Sequence, residues 1–219
     1  MSARVVPDDE VGRALAVDVL RAGGIVALPT DTVYGIAAAL ATPGGIERLF
    51  AAKRRPPDKG VMMLLDDAAQ ADEIGVMTPA ARALADAGWP GGLTVVVPQR
   101  PDVPLPTVLT GGAATIGLRA PAHDAPRTLA RAVGPLPVTS ANVSGVAEAA
   151  DAAGIVEQLG DAVDLILDGG PAHGGPASTV VDCTGELPIV LRVGALPLDR
   201  VVAILDAAGV AHDLGAVGR

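Results

Sequence analysis

Apolar and polar positions along this chain follow two periods, and each change of period marks the end of an element. Residues 8–22 repeat apolar positions at helical spacing, with Val11, Leu15 and Val19 on one face, Asp8 as N-cap and Gly23 as the stop. Residues 25–28 are a short continuous apolar run, read as a buried strand, and Pro29 ends it by removing a backbone donor. A second helix over 45–54 turns Ile46, Leu49 and Phe50 inward and is halted by Pro56-Pro57. Then come a strand at 61–65, helices at 68–74 and 79–87 (the latter capped by Thr78), and a strand at 93–97 after the turn Trp89-Pro90-Gly91-Gly92. The proline-rich stretch 99–112 reads as an extended loop. Beyond it the pattern gives a strand at 115–119, a helix near 126–133, a strand at 136–139, a helix at 149–159 and a strand at 164–167. A hairpin of strands 178–183 and 189–193 and a closing helix at 198–208 complete the chain before a short tail. Helices alternating with strands through one core predict a single α/β domain with a mixed sheet.

The polar residues gather where strands end. Thr30-Asp31-Thr32-Val33-Tyr34-Gly35 follows the first predicted strand, and open α/β sheets place ligands at such C-terminal strand ends. Ser140-Ala141-Asn142 with Ser144-Gly145 follows another. Strand alternation sets Thr115, Gly117 and Arg119 on one face, and an arginine on a central strand needs a partner. Ser178-Thr179 follows the glycine-rich loop 169–176, which lacks Walker spacing, and Arg192 ends the last strand.

Composition sharpens this picture. Half of the 219 residues are hydrophobic, yet Trp89, Tyr34 and Phe50 are the only aromatics, so Ala, Val, Leu and Ile must build the core. No apolar run is long enough for a membrane span, no secretory signal is visible, and the single Cys183 excludes an internal disulfide; a cytoplasmic protein is expected. His123, His173 and His212 lack metal-ligand spacing, so no metal site is expected. The formal net charge of -9 disfavours a nonspecific nucleic-acid binder. Against that acidic background the only two lysines, Lys53 and Lys59, flank Arg54 and Arg55. Positive charge closing a helix needs no ligand to explain it. If Lys53 and Arg55 converge to about 6 Å, however, their repulsion is about 3 kcal/mol at an effective dielectric of about 20, and a bound phosphate removes it.

Seven segments in order carry a resemblance. They are Pro29-Thr30-Asp31-Thr32-Val33-Tyr34-Gly35, Lys53-x-Arg55-Pro56, Trp89-Pro90-Gly91-Gly92-Leu93-Thr94, Leu118-Arg119-Ala120-Pro121, Ser140-x-Asn142-x-Ser144-Gly145, Ser178-Thr179-Val180 and Leu191-Arg192-Val193-Gly194. Together they resemble the YrdC-like family, the threonylcarbamoyl-AMP synthases. The resemblance implies a single domain over 1–219, with a core of about 8–208 and no C-terminal extension, in which a twisted mixed sheet flanked by helices surrounds a positively charged cavity. It implies condensation of L-threonine, bicarbonate and ATP, with Mg2+ bound through the triphosphate, to threonylcarbamoyl-AMP and pyrophosphate. A separate threonylcarbamoyl transferase would carry the product to adenosine 37 of tRNA, so tRNA contact would be indirect, and no membrane is involved.

By matching position, the resemblance implies a catalytic tetrad of Lys53, Arg55, Ser140 and Asn142. Threonine would be held at Thr32, Tyr34, Arg119, Val138 and Ser178, and ATP at Arg55, Lys59, Thr115, Ser140 and Arg192. Val138 stands where a hydroxyl residue is usual, Leu64 where some members have histidine, and Ala147-Glu148-Ala149 replaces a Ser-Pro-Thr-like segment. The chain shows no nucleophile elbow, which agrees with a reaction that needs positioning and charge stabilisation. An RNA-binding or ribosome-associated module on the same fold is the alternative, disfavoured by net charge and missing stacking aromatics. Carbamoyl transfer from carbamoyl phosphate is a third possibility, which would need additional catalytic domains.

Overall fold

The computed structural model describes residues 3–172 and 174–214. Within them the strands are β1 (Arg4–Pro7), β2 (Val26–Leu28), β3 (Gly35–Ala37), β4 (Met62–Leu64), β5 (Leu93–Pro98), β6 (Thr115–Arg119), β7 (Leu136–Ser140), β8 (Leu165–Asp168), β9 (Thr179–Asp182) and β10 (Ile189–Arg192). The helices are α1 (Glu10–Arg21), α2 (Gly45–Lys53), α3 (Ala71–Ile74), α4 (Pro79–Gly88), α5 (Thr107–Thr110), α6 (Asp124–Val133), α7 (Ala152–Leu159) and α8 (Leu198–Ala207). All ten strands join one mixed sheet in the order β1-β8-β2-β3-β7-β4-β6-β5-β9-β10. β2 runs antiparallel to β3, β3 and β4 antiparallel to β7, and β4 parallel to β6.

Side chains alternate across the sheet and bury both faces. On β2, Ala27 enters a cluster with Tyr34, Ile36, Leu49 and Ile155, whereas Val26 and Leu28 enter another with Leu20, Leu129 and Leu136. β8 divides in the same way, Ile166 to the first cluster and Leu165 and Leu167 to the second. A third cluster around Met63, Leu84, Val95, Leu118 and Leu205 closes the β5–β6 end beneath α4 and α8. Double burial explains why these strands read as continuous apolar runs.

Several boundaries differ from the sequence reading. α1 starts at Glu10, capped by Asp9, whose carboxylate accepts from the Gly12 N–H at 2.8 Å; Asp8 instead pairs with Arg13. The buried face of α1 is Gly12, Ala16, Val17 and Leu20, and Val11 is exposed, because small residues let this helix lie close to the sheet. α3 begins only at Ala71, α6 already at Asp124 with His123 as cap, and α7 at Ala152 with Asp151 as cap. The stretch 99–112 holds the short helix α5. β1 and β3 were not visible in the pattern at all. His173 lies outside the described residues; His212 bonds Asp206, and no cluster of metal-ligating side chains occurs among the described residues. Cys183 is buried just past β9, and burial pushes its thiol up to about 12, so it packs as an inert apolar group. No helix among the described residues is long and apolar enough to cross a membrane.

Candidate active site

A cavity of about 230 Å³ opens over the middle of the sheet. Its walls come from the β2–β3 turn, the segment after α2, the strands β4, β6 and β7, Glu148, the approach to β9, and β10. Arg55, Arg119 and Arg192, far apart in sequence, all line it, together with Thr32, Tyr34, Val138, Ser140 and Ser178.

The β2–β3 turn is tied by its own hydroxyls. Thr30 Oγ1 donates to the Val33 carbonyl at 2.6 Å and accepts from the Thr32 and Val33 N–H groups. That turn presents Asp31 and Thr32 to β6. Arg119, whose side chain is 4% exposed, donates to Asp31 at 2.5 Å, to Thr32 Oγ1 at 2.9 Å and to the Gly91 carbonyl at 2.9 Å. Burial lowers the Arg119 pKa, Asp31 opposes that shift, and nearby Arg192 adds to it. Three of the five guanidinium N–H groups are therefore engaged, and the residue forms part of the cavity wall. Tyr34 also lines the cavity, but its hydroxyl is spent internally: it donates to the Gly170 carbonyl at 2.6 Å and accepts from the Gly169 N–H at 3.0 Å.

α2 delivers the basic pair. Arg54 takes a left-handed conformation at φ 50°, and the Arg54 and Arg55 N–H groups bond back to the Ala51 and Phe50 carbonyls. This turn ends α2 ahead of Pro56-Pro57. Lys53, 3% exposed, sends its ammonium to Ser140 Oγ at 2.9 Å, Asn142 Oδ1 at 2.5 Å and the Ser140 carbonyl at 2.6 Å. Ser140 Oγ also bonds Asn142 Oδ1 at 2.6 Å. Arg55 reaches the neighbouring Thr139 Oγ1 at 3.4 Å and the Lys59 and Gly60 carbonyls. Burial first, then the Arg55 charge, lower the Lys53 pKa from 10.5 to about 8, with Glu148 opposing. Lys53 and Arg55 thus reach the adjacent β7 residues Ser140 and Thr139, close enough for the Arg55 charge to act on Lys53.

Lys53 and Asn142 stand behind Ser140 rather than in the cavity wall. Lys59 is exposed and Thr115 half-buried, and neither is among the lining residues. Lys59 precedes the lining residue Gly60, and Thr115 lies two residues before Gly117, which pairs with lining Met62. Both lie outside the cavity wall. The sequence reading missed Thr30, Thr139 and Glu148 as wall residues, and missed Thr94, which holds Ser178 from behind at 2.8 Å. Val138, Met62 and Leu64 give the cavity an apolar floor.

Residues 18–194 match the Sua5/YciO/YrdC family profile, described as telomere recombination. The chain belongs to this family. A Mycobacterium tuberculosis protein of the family is 40% identical over 200 residues, 90% of this chain and 91% of that one. The Bacillus subtilis threonylcarbamoyl-AMP synthase is 33% identical over 90% of this chain, which spans 57% of that longer protein. The crystal structure of Pyrococcus abyssi Sua5 complexed with L-threonine superposes with a TM-score of 0.85 at 31% identity, covering 100% of this chain and 64% of that one. The Sua5/YciO/YrdC fold is therefore the α/β fold described above.

Proposed function

We propose that this chain joins L-threonine, bicarbonate and ATP into threonylcarbamoyl-AMP and pyrophosphate. The observation that carries the reading is the gathering of Arg55, Arg119 and Arg192 in one hollow with the hydroxyls of Thr32, Ser140 and Ser178. Threonine carbamate and a nucleoside triphosphate are both anions, and bringing them together requires converging cations. The threonine amine first combines with bicarbonate, losing water, to give the carbamate. A carbamate oxygen then attacks the α-phosphorus; the new P–O bond replaces the bond to the β-phosphate, and pyrophosphate leaves. In-line displacement of this kind needs alignment and charge stabilisation and no side-chain nucleophile.

In this reading Thr32, Arg119 and Ser178 hold the threonine carboxylate side, over the floor of Val138 and Leu64. Arg55, Ser140 and Arg192 hold the phosphates, with Lys53 and Asn142 fixing Ser140. The cavity is smaller than pockets that enclose drug-sized ligands, so the nucleotide extends over the rim toward Lys59 and Thr115. Magnesium fits as a companion of the triphosphate: Glu148 is the one carboxylate in the cavity wall, since Asp31 is engaged by Arg119. When bound, the metal would neutralise phosphate charge. Tyr34, the one aromatic in the wall, is 1% exposed and cannot stack on a base, so the site does not favour RNA. Use of the product by a separate transferase acting on tRNA, in the cytoplasm, belongs to the same proposal.

Purified protein with Mg-ATP, bicarbonate and L-threonine should release pyrophosphate, and omission of threonine should abolish release. Lys53→Ala or Arg55→Ala should lower the rate by about 100-fold or more. L-serine should react about tenfold less efficiently, because the space for the threonine methyl stays empty. Release that ignores threonine would overturn the assignment.

A further inference from the structure

Thr94 on β5 is 2% exposed, and its hydroxyl meets Ser178 Oγ at 2.8 Å, its one side-chain hydrogen bond among the described residues. Arg192 donates to the same Ser178 Oγ at 3.3 Å and to the Ser178 carbonyl at 3.0 Å. A hydroxyl has one proton to give and two lone pairs with which to accept. Were Ser178 to donate to Thr94, the Thr94 proton would be stranded in a buried site, which is unfavourable. The satisfied arrangement has Thr94 donating to Ser178. Arg192 fills the second lone pair, because a guanidinium only donates. The Ser178 proton is then left without a partner among the described residues, as are the Arg192 N–H groups not engaged by Ser178, and both residues line the cavity.

We infer that Thr94 is a positioning residue that fixes the polarity of Ser178, making it an obligate donor to an oxygen anion of the bound amino acid. An ammonium or amide N–H of the ligand finds no acceptor at Ser178. The amino acid must therefore turn its carboxylate to this corner, which leaves its amine pointing away, free to meet bicarbonate. The inference rests on the proposed synthase reading and adds a residue outside the cavity wall.

The test compares Thr94→Val, Thr94→Ser, Ser178→Ala and the double variant Thr94→Val/Ser178→Ala in threonine-dependent pyrophosphate release, with thermal melting recorded for each. Valine matches threonine in shape and lacks only the hydroxyl. Thr94→Val should raise the KM for threonine about tenfold with kcat changed by no more than about twofold, as expected for loss of one oriented hydrogen bond to a charged group. Thr94→Ser should restore KM. The double variant should match Ser178→Ala alone, because Thr94 acts only through Ser178. An unchanged KM in Thr94→Val, or a double variant whose defect is the product of the two single defects, would overturn the inference while leaving the synthase reading intact. A wild type that releases no pyrophosphate in response to threonine would overturn both.

Discussion

In the proposed synthase, Lys53 is a site residue whose charge state can change at mildly alkaline pH. Burial and Arg55 hold its pKa at about 8, below its ordinary 10.5, although every partner of the ammonium is an oxygen that prefers it charged. Below about 8 both native and unfolded chains carry the proton, and the native state bears the full cost of burying it. Between about 8 and 10.5 only the unfolded chain is protonated, so this group's contribution to stability improves as pH rises through that window. Activity should move in the opposite direction. Loss of the proton removes a cation from behind Ser140 and releases the Ser140–Asn142 pair. The kcat/KM for ATP, which reports the free enzyme, should fall as pH passes about 8. Whatever activity Lys53→Arg retains should lack that inflection, because a guanidinium stays charged. A wild-type profile that stays flat well above that pH would contradict this role for Lys53.

At the scale of elements, the turn that ends α2 brings Lys53 and Arg55 to adjacent residues of β7. The turn depends on Arg54 at positive φ, a conformation that costs a non-glycine residue about 1 kcal/mol. Arg54→Gly should raise unfolding stability by up to about 1 kcal/mol in a denaturant titration, with KM and kcat unchanged, since the Arg54 side chain is exposed and absent from the cavity wall. A loss of stability would mean that the Arg54 side chain, and not its backbone, holds the turn. This stop shows what periodicity could and could not reveal. The inward face of α2, with Ile46, Leu49 and Phe50, was plain because large apolar residues recur at helical spacing. Its end was placed to within one residue, but the means of ending it was not legible, because a left-handed arginine has no mark in composition and Pro56-Pro57 offered a more conspicuous breaker. On α1 only Val11 was misread, for a related reason: Gly12 and Ala16 are buried for their smallness while Val11 faces solvent, and Leu15 and Val19 pack against the core as read. β3 escaped notice because three buried residues between two partner strands leave no alternation to read.

For the whole molecule, the cavity is the place where distant parts of the sheet are joined by side chains rather than by ladder hydrogen bonds. Arg119 on β6 grips the β2–β3 turn, Arg55 reaches β7, and Arg192 on the edge strand β10 returns to Ser178. The polar residues at strand ends made this convergence legible in outline. The supporting contacts of Asp31 and Thr94 were not, since they depend on pairings 88 and 84 residues apart. A ligand pair that spans Arg55, Arg119 and Arg192 would tie these segments together and bind only the folded chain. Such binding stabilises by about 2.7 kcal/mol at a hundredfold excess over Kd, and for a chain of this size each kcal/mol moves Tm by about 2–4 °C. L-threonine with α,β-methylene ATP, which cannot release pyrophosphate, should therefore raise Tm by about 5–10 °C under those conditions. Arg119→Met should lose the part of the shift that threonine adds and keep the nucleotide's part, because in the proposed arrangement Arg119 holds threonine while Arg55 and Arg192 hold the phosphates. If threonine adds nothing to the melting temperature of the nucleotide-bound wild type at concentrations that saturate turnover, the two ligands do not share this cavity.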